Sequence, residues 1–371
     1  MKKIKIYMQF PWRYGDSNYY KSLLEHAPKN VEYLNNLKHI GNITNNRKFE
    51  INNFIKQNIK KYLEIFFPFM INSHLTRCKS EYDLIHCAHC LSYNKRPWIC
   101  DLEYPEQMWV SQNIKPSLES KKKVEKILGS DYCKKILSWT EWGKKDLIEK
   151  FPKIKEKIEV LHYAMPAQKA IKRNYEKITL FFFSRRFYFK GGLHAVEIMD
   201  RLTKKFPNVY GLVLSKIPKE VLDKYSPNKK IEFINSLVPY EKIMNEIFPR
   251  ADIFLYPSYN DTYGFPMIEA QAFGIPVITV DGQSRREIVQ DGKTGFVINE
   301  PDRKGMQGLT NLNTLKKTID KLEKSTEILI KDKNLRKKMG LNCRKEIEYG
   351  KFSIEKRMKK LERIYEESIN K

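Results

Sequence analysis

Residues 257–276, PSYNDTYGFPMIEAQAFGIP, form the most chemically informative stretch of the 371-residue chain. Two carboxylates, Asp261 and Glu269, stand eight residues apart with Gly264 between them. The apolar residues before this stretch, and Pro266 within it, predict a strand, a loop and a short helix with Glu269 in its first turn. Free backbone N–H groups in such a turn bind anions, and Gly264 would let a phosphate or a sugar approach closely. The stretch therefore predicts a binding site for an anionic or sugar-containing ligand.

The pattern PS-x-x-[acid]-x-x-G-x-P-x-x-E-A-x-A-x-G-x-P-V-I resembles the retaining, glycogen-synthase-like nucleotide-sugar glycosyltransferases, the large family four with the GT-B fold. In that family the two acids contact the donor sugar and the ribose, which implies these roles for Asp261 and Glu269 respectively. Asp261 stands where the family usually has Glu, so its carboxylate reaches less far. Gly264 and Phe265 are placed with the donor-binding residues on the same resemblance.

A second segment, FFFSRRFYFKGG, resembles the family's G-R-x4-K-G element, with Ser184 in place of the glycine. The match falls on Arg185 and Lys190. A departing nucleoside diphosphate gains negative charge as the glycosidic bond breaks, and two preorganised cations would stabilise that charge. The alternative for both residues is solvated surface charge, in a chain that contains 69 Lys and Arg residues.

Three further segments resemble the family less closely. In FINSLVP, residues 233–239, the backbone would meet the nucleotide base, with Leu237 nearest to it. The stretch DGQSRREIVQDGKTGFVI resembles the family up to Glu287 and in the DG-x-TGF turn, but Gln283 and Ser284 replace the usual glycine pair. Gly15 is a lone glycine in a segment that resembles the glycine-rich first loop. The resemblance covers most of residues 178–300, whereas the N-terminal half matches only in architecture.

The resemblance implies transfer of a sugar from a UDP- or GDP-sugar donor to a glycan or lipid-linked acceptor, with retention of configuration. Two cations and a helix N-terminus would serve the diphosphate, so we expect no metal and no cofactor beyond the donor. Asp101 and Glu103 have an Asp-x-Asp-like spacing near a strand end that could hold a metal. We favour a structural role for these two acids over a metal site. In HCAHC, residues 86–90, strand alternation would place His86 and Cys90 on one face and Cys87 and His89 on the other, against a tetrahedral site.

Length and periodicity predict an α/β fold of two Rossmann-like, doubly wound parallel-sheet domains facing across a cleft. Apolar strands alternate with helical stretches through both halves of the chain. We place the N-terminal acceptor domain at residues 1–165, the donor domain at 166–350, and a C-terminal helix at 351–371 that packs back toward the N-terminal domain. The last predicted helices lie at about 311–332 and 352–369.

The formal charge of +25 would attract nucleotides, nucleic acid or an acidic lipid surface, but it also fits a Lys- and Asn-rich composition. No finger or aromatic-interleaved motif supports nucleic-acid binding, so we expect none. Six scattered cysteines and an N-terminus without an apolar core predict a cytoplasmic protein, with the inner membrane face left open. Residues 54–71 mix lysines with aromatics; we favour a core helix there over an amphipathic membrane-surface segment.

Three other functions remain open on the sequence. A related nucleotide-sugar enzyme, such as an epimerase, would have no acceptor requirement. A basic nucleic-acid-binding protein would bind with steep salt dependence and would not bind nucleotide sugars. An inactive homologue is consistent with the departures at Asp261, Ser184 and Gln283.

Overall fold

The computed structural model of the protein describes residues 3–10, 17–35, 71–111, 115–169, 176–235, 237–299 and 316–370, together with part of 51–70. The chain divides into two compact units. The first unit combines Met1–Ala164 with Lys351–Lys371, and the second consists of Met165–Gly350. Each unit is built around its own parallel sheet.

Fourteen strands occur in the described part of the chain. In the first unit they are β1 Ile4–Gln9, β2 Val31–Tyr33, β3 Ser73–His74, β4 Leu84–Ala88, β5 Leu91–Ser92, β6 Trp98–Leu102, β7 Cys133–Ser138 and β8 Ile158–Val160. In the second they are β9 Ile178–Ser184, β10 Val209–Ser215, β11 Ile231–Ile234, β12 Ile253–Tyr256, β13 Val277–Val280 and β14 Gly295–Ile298.

The α-helices of the described residues are α1 Asn18–Glu25, α2 Leu118–Gly129, α3 Glu141–Lys150, α4 Gly192–Lys205, α5 Lys219–Tyr225, α6 Tyr240–Lys242, α7 Phe265–Ala272, α8 Arg285–Ile288, α9 Lys316–Lys331, α10 Lys333–Glu348 and α11 Ile354–Asn370. Helix α6 continues as a π turn over Ile243–Ile247. Helix α10 was not predicted. It begins directly after the predicted 311–332 helix, and Asp332, the last residue of that prediction, caps α10 by accepting from the Leu335 N–H.

The first unit has a six-stranded sheet in the order β2-β1-β4-β6-β7-β8, and β3 pairs with β5 beside it. All these pairings are parallel. Every residue of β4 and β6 is buried, which is typical of parallel strands covered on both faces. Helix α11, from the end of the chain, packs against β4 and β7 of this sheet.

The second unit has the strand order β11-β10-β9-β12-β13-β14, again with parallel pairing throughout. Read in chain order, this is the 3-2-1-4-5-6 arrangement of a Rossmann sheet. Helix α4 packs against β9 and β10, and α7 packs against β12 and β13. The predicted fold class of two Rossmann-like parallel-sheet domains is therefore confirmed.

Two local predictions in the first unit are wrong. Strand β4 ends at Ala88, and His89 adopts φ +51°, so strand alternation does not continue across residues 86–90. Cys87 and Cys90 therefore both lie in the buried core cluster of this unit instead of pointing to opposite faces.

The second correction concerns residues 54–71, for which we favoured a core helix. The described residues between 51 and 66 are helical, yet each described side chain in that range is exposed. The periodicity predicted the helix, but periodicity alone does not decide what covers an apolar face.

Candidate functional site

The candidate site lies at the carboxyl edge of the second unit's sheet, at its topological switch point. The chain runs outward from β9 to β10 on one side and resumes with β12 on the other, so the loops that follow β9 and β12 leave the sheet side by side. Open α/β sheets bind ligands at such a point, outside the carboxyl ends of the strands.

These two loops bring together two of the predicted site residues. Lys190 Nζ lies 2.9 Å from Asp261 Oδ2, and the two side chains retain only 18% and 12% exposure. Lys190 Nζ also donates to the backbone oxygen of Asn260 at 2.6 Å. A cation from the first loop is thus fixed against a carboxylate from the second.

Gly191 allows the two loops to approach. Its φ of +73° is in the left-handed region, and a Cβ built on it would lie 2.1 Å from the carbonyl oxygen of Pro257. A side chain at this position would push the loop after β9 away from the loop after β12.

Two contacts besides the Lys190 ion pair hold Asp261 in place. Tyr256, the last residue of β12, donates its hydroxyl to Asp261 Oδ2 at 2.6 Å. Burial, followed by the nearby Asp261 charge, raises the Tyr256 pKa well above its usual value, so the phenol remains a donor. The backbone N–H of Asp261 donates to Gln283 Oε1 at 2.8 Å, although Gln283 adopts an unfavourable φ of +46°. The aspartate is therefore positioned before any ligand binds.

Arg285 is a functional candidate that the sequence did not reveal. Its guanidinium is fully buried and donates to the backbone oxygens of Val280 and Asp261 at 2.9 and 3.1 Å. Arg285 thus joins the end of β13 to the loop that carries Asp261. Its neighbour Arg286 is exposed and pairs with Asp281 instead, and nothing in the spacing distinguishes the two arginines.

The helix α7 begins one residue after Gly264, which caps it with φ +80°. A Cβ on Gly264 would lie 3.5 Å from Asp261 Oδ2, so the helix start adjoins the aspartate. Phe265 opens the helix and packs its ring against Tyr263 at 4.9 Å between centroids.

Contrary to the prediction, Glu269 is not in the first turn of α7 but is the fifth residue of the helix. Its side chain is 1% exposed, and Oε1 accepts from the Tyr240 hydroxyl at 3.0 Å. Helix α7 starts at Phe265, so Glu269 lies one turn beyond the helix start. Glu269 therefore meets Tyr240, the first residue of α6.

The other predicted residues lie as follows. Arg185 is exposed directly after β9, and Leu237 is half-buried between β11 and α6. Gly15 lies outside the described residues.

The suspected side chains of the first unit belong to its core. Asp101 is fully buried, receives a hydrogen bond from the Tyr20 hydroxyl, and lies 2.7 Å from His86 Nε2. His89 is buried with Nδ1 2.9 Å from Gln107 Oε1, and burial lowers its pKa. Within the described ranges, no cluster of three His, Cys, Asp or Glu residues is arranged to hold a metal.

Residues 165–346 match the family model of glycosyl transferases group 1. Among curated relatives, the capsular polysaccharide biosynthesis glycosyltransferase CapM of Staphylococcus aureus is 32% identical over 118 residues, which is 32% of this chain and 27% of CapM. The α-monoglucosyldiacylglycerol synthase of Acholeplasma laidlawii is 29% identical over 139 residues, 37% of this chain and 35% of that protein. The chain thus matches about a third or less of either relative's length.

Solved structures resemble the whole chain. A glycosyltransferase from Rickettsia africae ESF-5 superposes with a TM-score of 0.62 at 17% identity and covers 99% of both chains. Anabaena Alr3699/HepE, solved with UDP and glucose, has a TM-score of 0.60 at 11% identity and covers 97% of this chain and 98% of its own. At these identities the likeness shows the fold. The second unit thus matches the family model of glycosyl transferases group 1, and the chain has the fold of GT-B glycosyltransferases.

Proposed function

We propose that the protein transfers a sugar from a nucleotide-diphosphate-sugar donor to a glycan or lipid-linked saccharide, with retention of configuration. One observation carries the proposal: the Lys190–Asp261 pair stands at the switch point of a domain that matches the glycosyl transferases group 1 family. UDP and glucose in the structure of Anabaena Alr3699/HepE make a UDP-sugar the first donor to test.

Each side chain has a distinct role in this proposal. Asp261 binds hydroxyls of the donor sugar, and Glu269 binds the ribose. Lys190, with Arg185 from the same loop, stabilises the negative charge that develops on the departing diphosphate. These two cations meet the charge requirement of the leaving group, so we propose that transfer needs no metal. EDTA should then leave the rate unchanged.

Retention requires either two displacements or attack from the same face as the departing group. A double displacement needs a carboxylate against the far face of the reacting carbon. Lys190 and Tyr256 engage Asp261, and Tyr240 engages Glu269, so both acids serve better as binding groups than as nucleophiles. We propose same-face transfer, in which the leaving phosphate helps to deprotonate the acceptor.

A thermal-shift panel of UDP, GDP and ADP with their sugars tests donor binding. A ligand at about a hundred times its Kd should add ~2.7 kcal/mol of apparent stability. If none of these ligands raises the melting temperature, the proposed function is wrong. Epimerised sugar formed without an acceptor would favour the epimerase alternative.

The stereochemistry needs a separate measurement. NMR of the product should show the anomeric configuration of the donor. An inverted product, or a glycosyl group trapped on Asp261 or Glu269, would overturn the mechanism while leaving the fold assignment intact.

A further inference from the structure

The first unit exposes an apolar helix face that its core does not use. The described residues between 51 and 66 are helical, and the Asn58 side-chain amide donates to the Phe54 carbonyl at 2.9 Å, one turn earlier. The face consists of Phe54, Ile55, Ile59, Tyr62, Ile65 and Phe66, which follow one another at intervals of one, three or four residues and are 49–69% exposed. Soluble proteins seldom leave such a stripe in water without a partner.

The chain just after the apolar face is hydrogen-bonded to the first unit. The Val110 N–H donates to the Met70 carbonyl at 3.0 Å, and the Asn72 N–H donates to the Met108 carbonyl at 2.9 Å. These bonds join the end of the segment to the body of the first unit.

Exposed apolar side chains continue beyond this attachment. Leu75 follows β3 and Tyr93 follows β5, and the two strands are parallel neighbours. The Tyr93 N–H donates to the His74 carbonyl at 3.0 Å, so Leu75 and Tyr93 leave the same edge of this small sheet. Both side chains are more than half exposed.

The charge beside these apolar groups is basic. Lys61 is exposed within the helix, and residues 51–70 contain three lysines against one acid, Glu64. Arg77 and Lys79 are exposed just after Leu75. Lysine methylene groups can lie along an apolar surface while the ammonium group stays in the polar layer. Apolar and basic side chains together therefore suit a partner with an apolar interior and a negatively charged surface.

We propose that the apolar helix face docks the first unit onto an anionic phospholipid bilayer, with the helix lying in the plane of the interface. Burial of the aromatic and aliphatic side chains supplies the main attraction. Attraction between basic residues and acidic headgroups adds to it. No helix in the described part of the chain is long and apolar enough to cross the bilayer, so the proposed contact is peripheral.

Co-sedimentation with vesicles tests this proposal. The wild-type protein should pellet with equimolar phosphatidylglycerol and phosphatidylcholine, less with phosphatidylcholine alone, and less as salt is raised. The double variant Ile59→Glu, Phe66→Glu should partition at least about a hundredfold more weakly, since it places two charges in the buried layer. Leu341→Glu is the matched control, because Leu341 is 62% exposed, like Phe66 at 60%, but lies on α10 of the second unit.

Three results would overturn the proposal. One is pelleting that does not depend on acidic lipid, and another is equal pelleting of the wild type and the double variant. The third is a wild-type dimer, absent in the double variant, that fails to bind vesicles, since a second copy would then cover the face. The nucleotide thermal shift, measured without vesicles, should be the same for all three proteins, so failure of the docking surface and failure of the proposed function can be told apart.

Discussion

At the scale of single residues, the second unit places opposite charges where a charged donor would meet both. Lys190 and Asp261 come from different loops. The Tyr256 hydroxyl donates to the Asp261 carboxylate, and the Asp261 backbone N–H donates to Gln283. A largely buried ion pair is weak evidence for stability, because the cost of removing both charges from water offsets their mutual attraction. Its charges are therefore better explained by ligand binding than by stability.

Lys190→Ala and Arg185→Ala should each lower kcat by about 10²–10³. The free energy of unfolding should change by less than ~1 kcal/mol in Arg185→Ala, whose side chain is exposed, and by more in Lys190→Ala, which leaves the largely buried Asp261 without its cation. Each change removes a cation from the departing diphosphate. Arg186→Ala is the control, because Arg186 is the exposed neighbour of Arg185 and faces the Phe189 ring. Steady-state rates with saturating donor, alongside melting curves, provide the measurement. A variant that folds and retains full activity would remove that residue from the leaving-group role.

His194, in the first turn of α4, should make stability depend on pH. It is fully buried beside Tyr259, and its ring nitrogens have no hydrogen-bond partner among the described residues. Burial lowers its pKa from 6.5 to about 4. The unfolded chain therefore binds the proton more readily, and the stability from this group, complete above pH 6.5, is lost as pH falls toward 4.

His194→Leu should remove that dependence. Between pH 7.5 and pH 5 the wild type should lose up to about 2 kcal/mol more than the variant, since each pKa unit corresponds to about 1.36 kcal/mol. Urea unfolding of both proteins at the two pH values measures the difference. Parallel losses would mean that the imidazole is protonated as easily in the folded protein as in the unfolded one.

At the scale of elements, the close approach of two loops depends on a glycine at the start of α4. Gly191 combines a left-handed φ with a contact against the Pro257 carbonyl. Gly292 has a similar φ of +71° but no atom within 4 Å of the position of its missing Cβ. The two glycines therefore separate backbone strain from close approach.

Gly292→Ala should cost about 1–2 kcal/mol, the penalty of a left-handed conformation for an L-residue. Gly191→Ala should cost more than this, because its methyl group also forces the loop after β9 away from Pro257. It should weaken nucleotide-sugar binding as well, whereas Gly292→Ala should not. Urea unfolding and donor titration measure the two effects, and equal behaviour of the variants would show that the loop contact is unimportant.

At the scale of the whole molecule, the chain leaves its first unit at Ala164 and returns to it at Lys351. The returning helix α11 joins a buried polar network. Tyr365 on this helix lies 2.8 Å from His86 Nδ1 and 3.1 Å from the Tyr33 hydroxyl, while His86 binds Asp101 on its other side. Residues far apart in sequence thus depend on one another for hydrogen bonds.

Tyr365→Phe should destabilise the first unit by about 1–3 kcal/mol, since it removes a buried partner of His86 and Tyr33. Tyr349→Phe is the control, because Tyr349 is 71% exposed and its change should stay within about 0.5 kcal/mol. Hydrogen exchange should show faster opening of β4 and β7 but not of the second unit's strands. Unchanged exchange in β4 would contradict the structural role of the network.

Apolar periodicity and turn residues predicted the repeating strands and helices, and hence the two parallel-sheet domains, because both signals act over a few neighbouring positions. It also placed Asp261 and Lys190 at the carboxyl ends of strands. The pairing of Asp261 with Lys190 was not predictable, since it requires β9 to lie beside β12, and these two strands are distant in sequence.

Which polar groups are buried and which apolar groups are exposed could not be predicted from the sequence. Arg285 is enclosed while the adjacent Arg286 is exposed, and Asp101 is taken up by Tyr20 and His86. The residues around Phe66 carry a core-like pattern yet face solvent. The burial of a residue depends on which other elements pack against it, and the pattern of residues along one segment does not identify those elements.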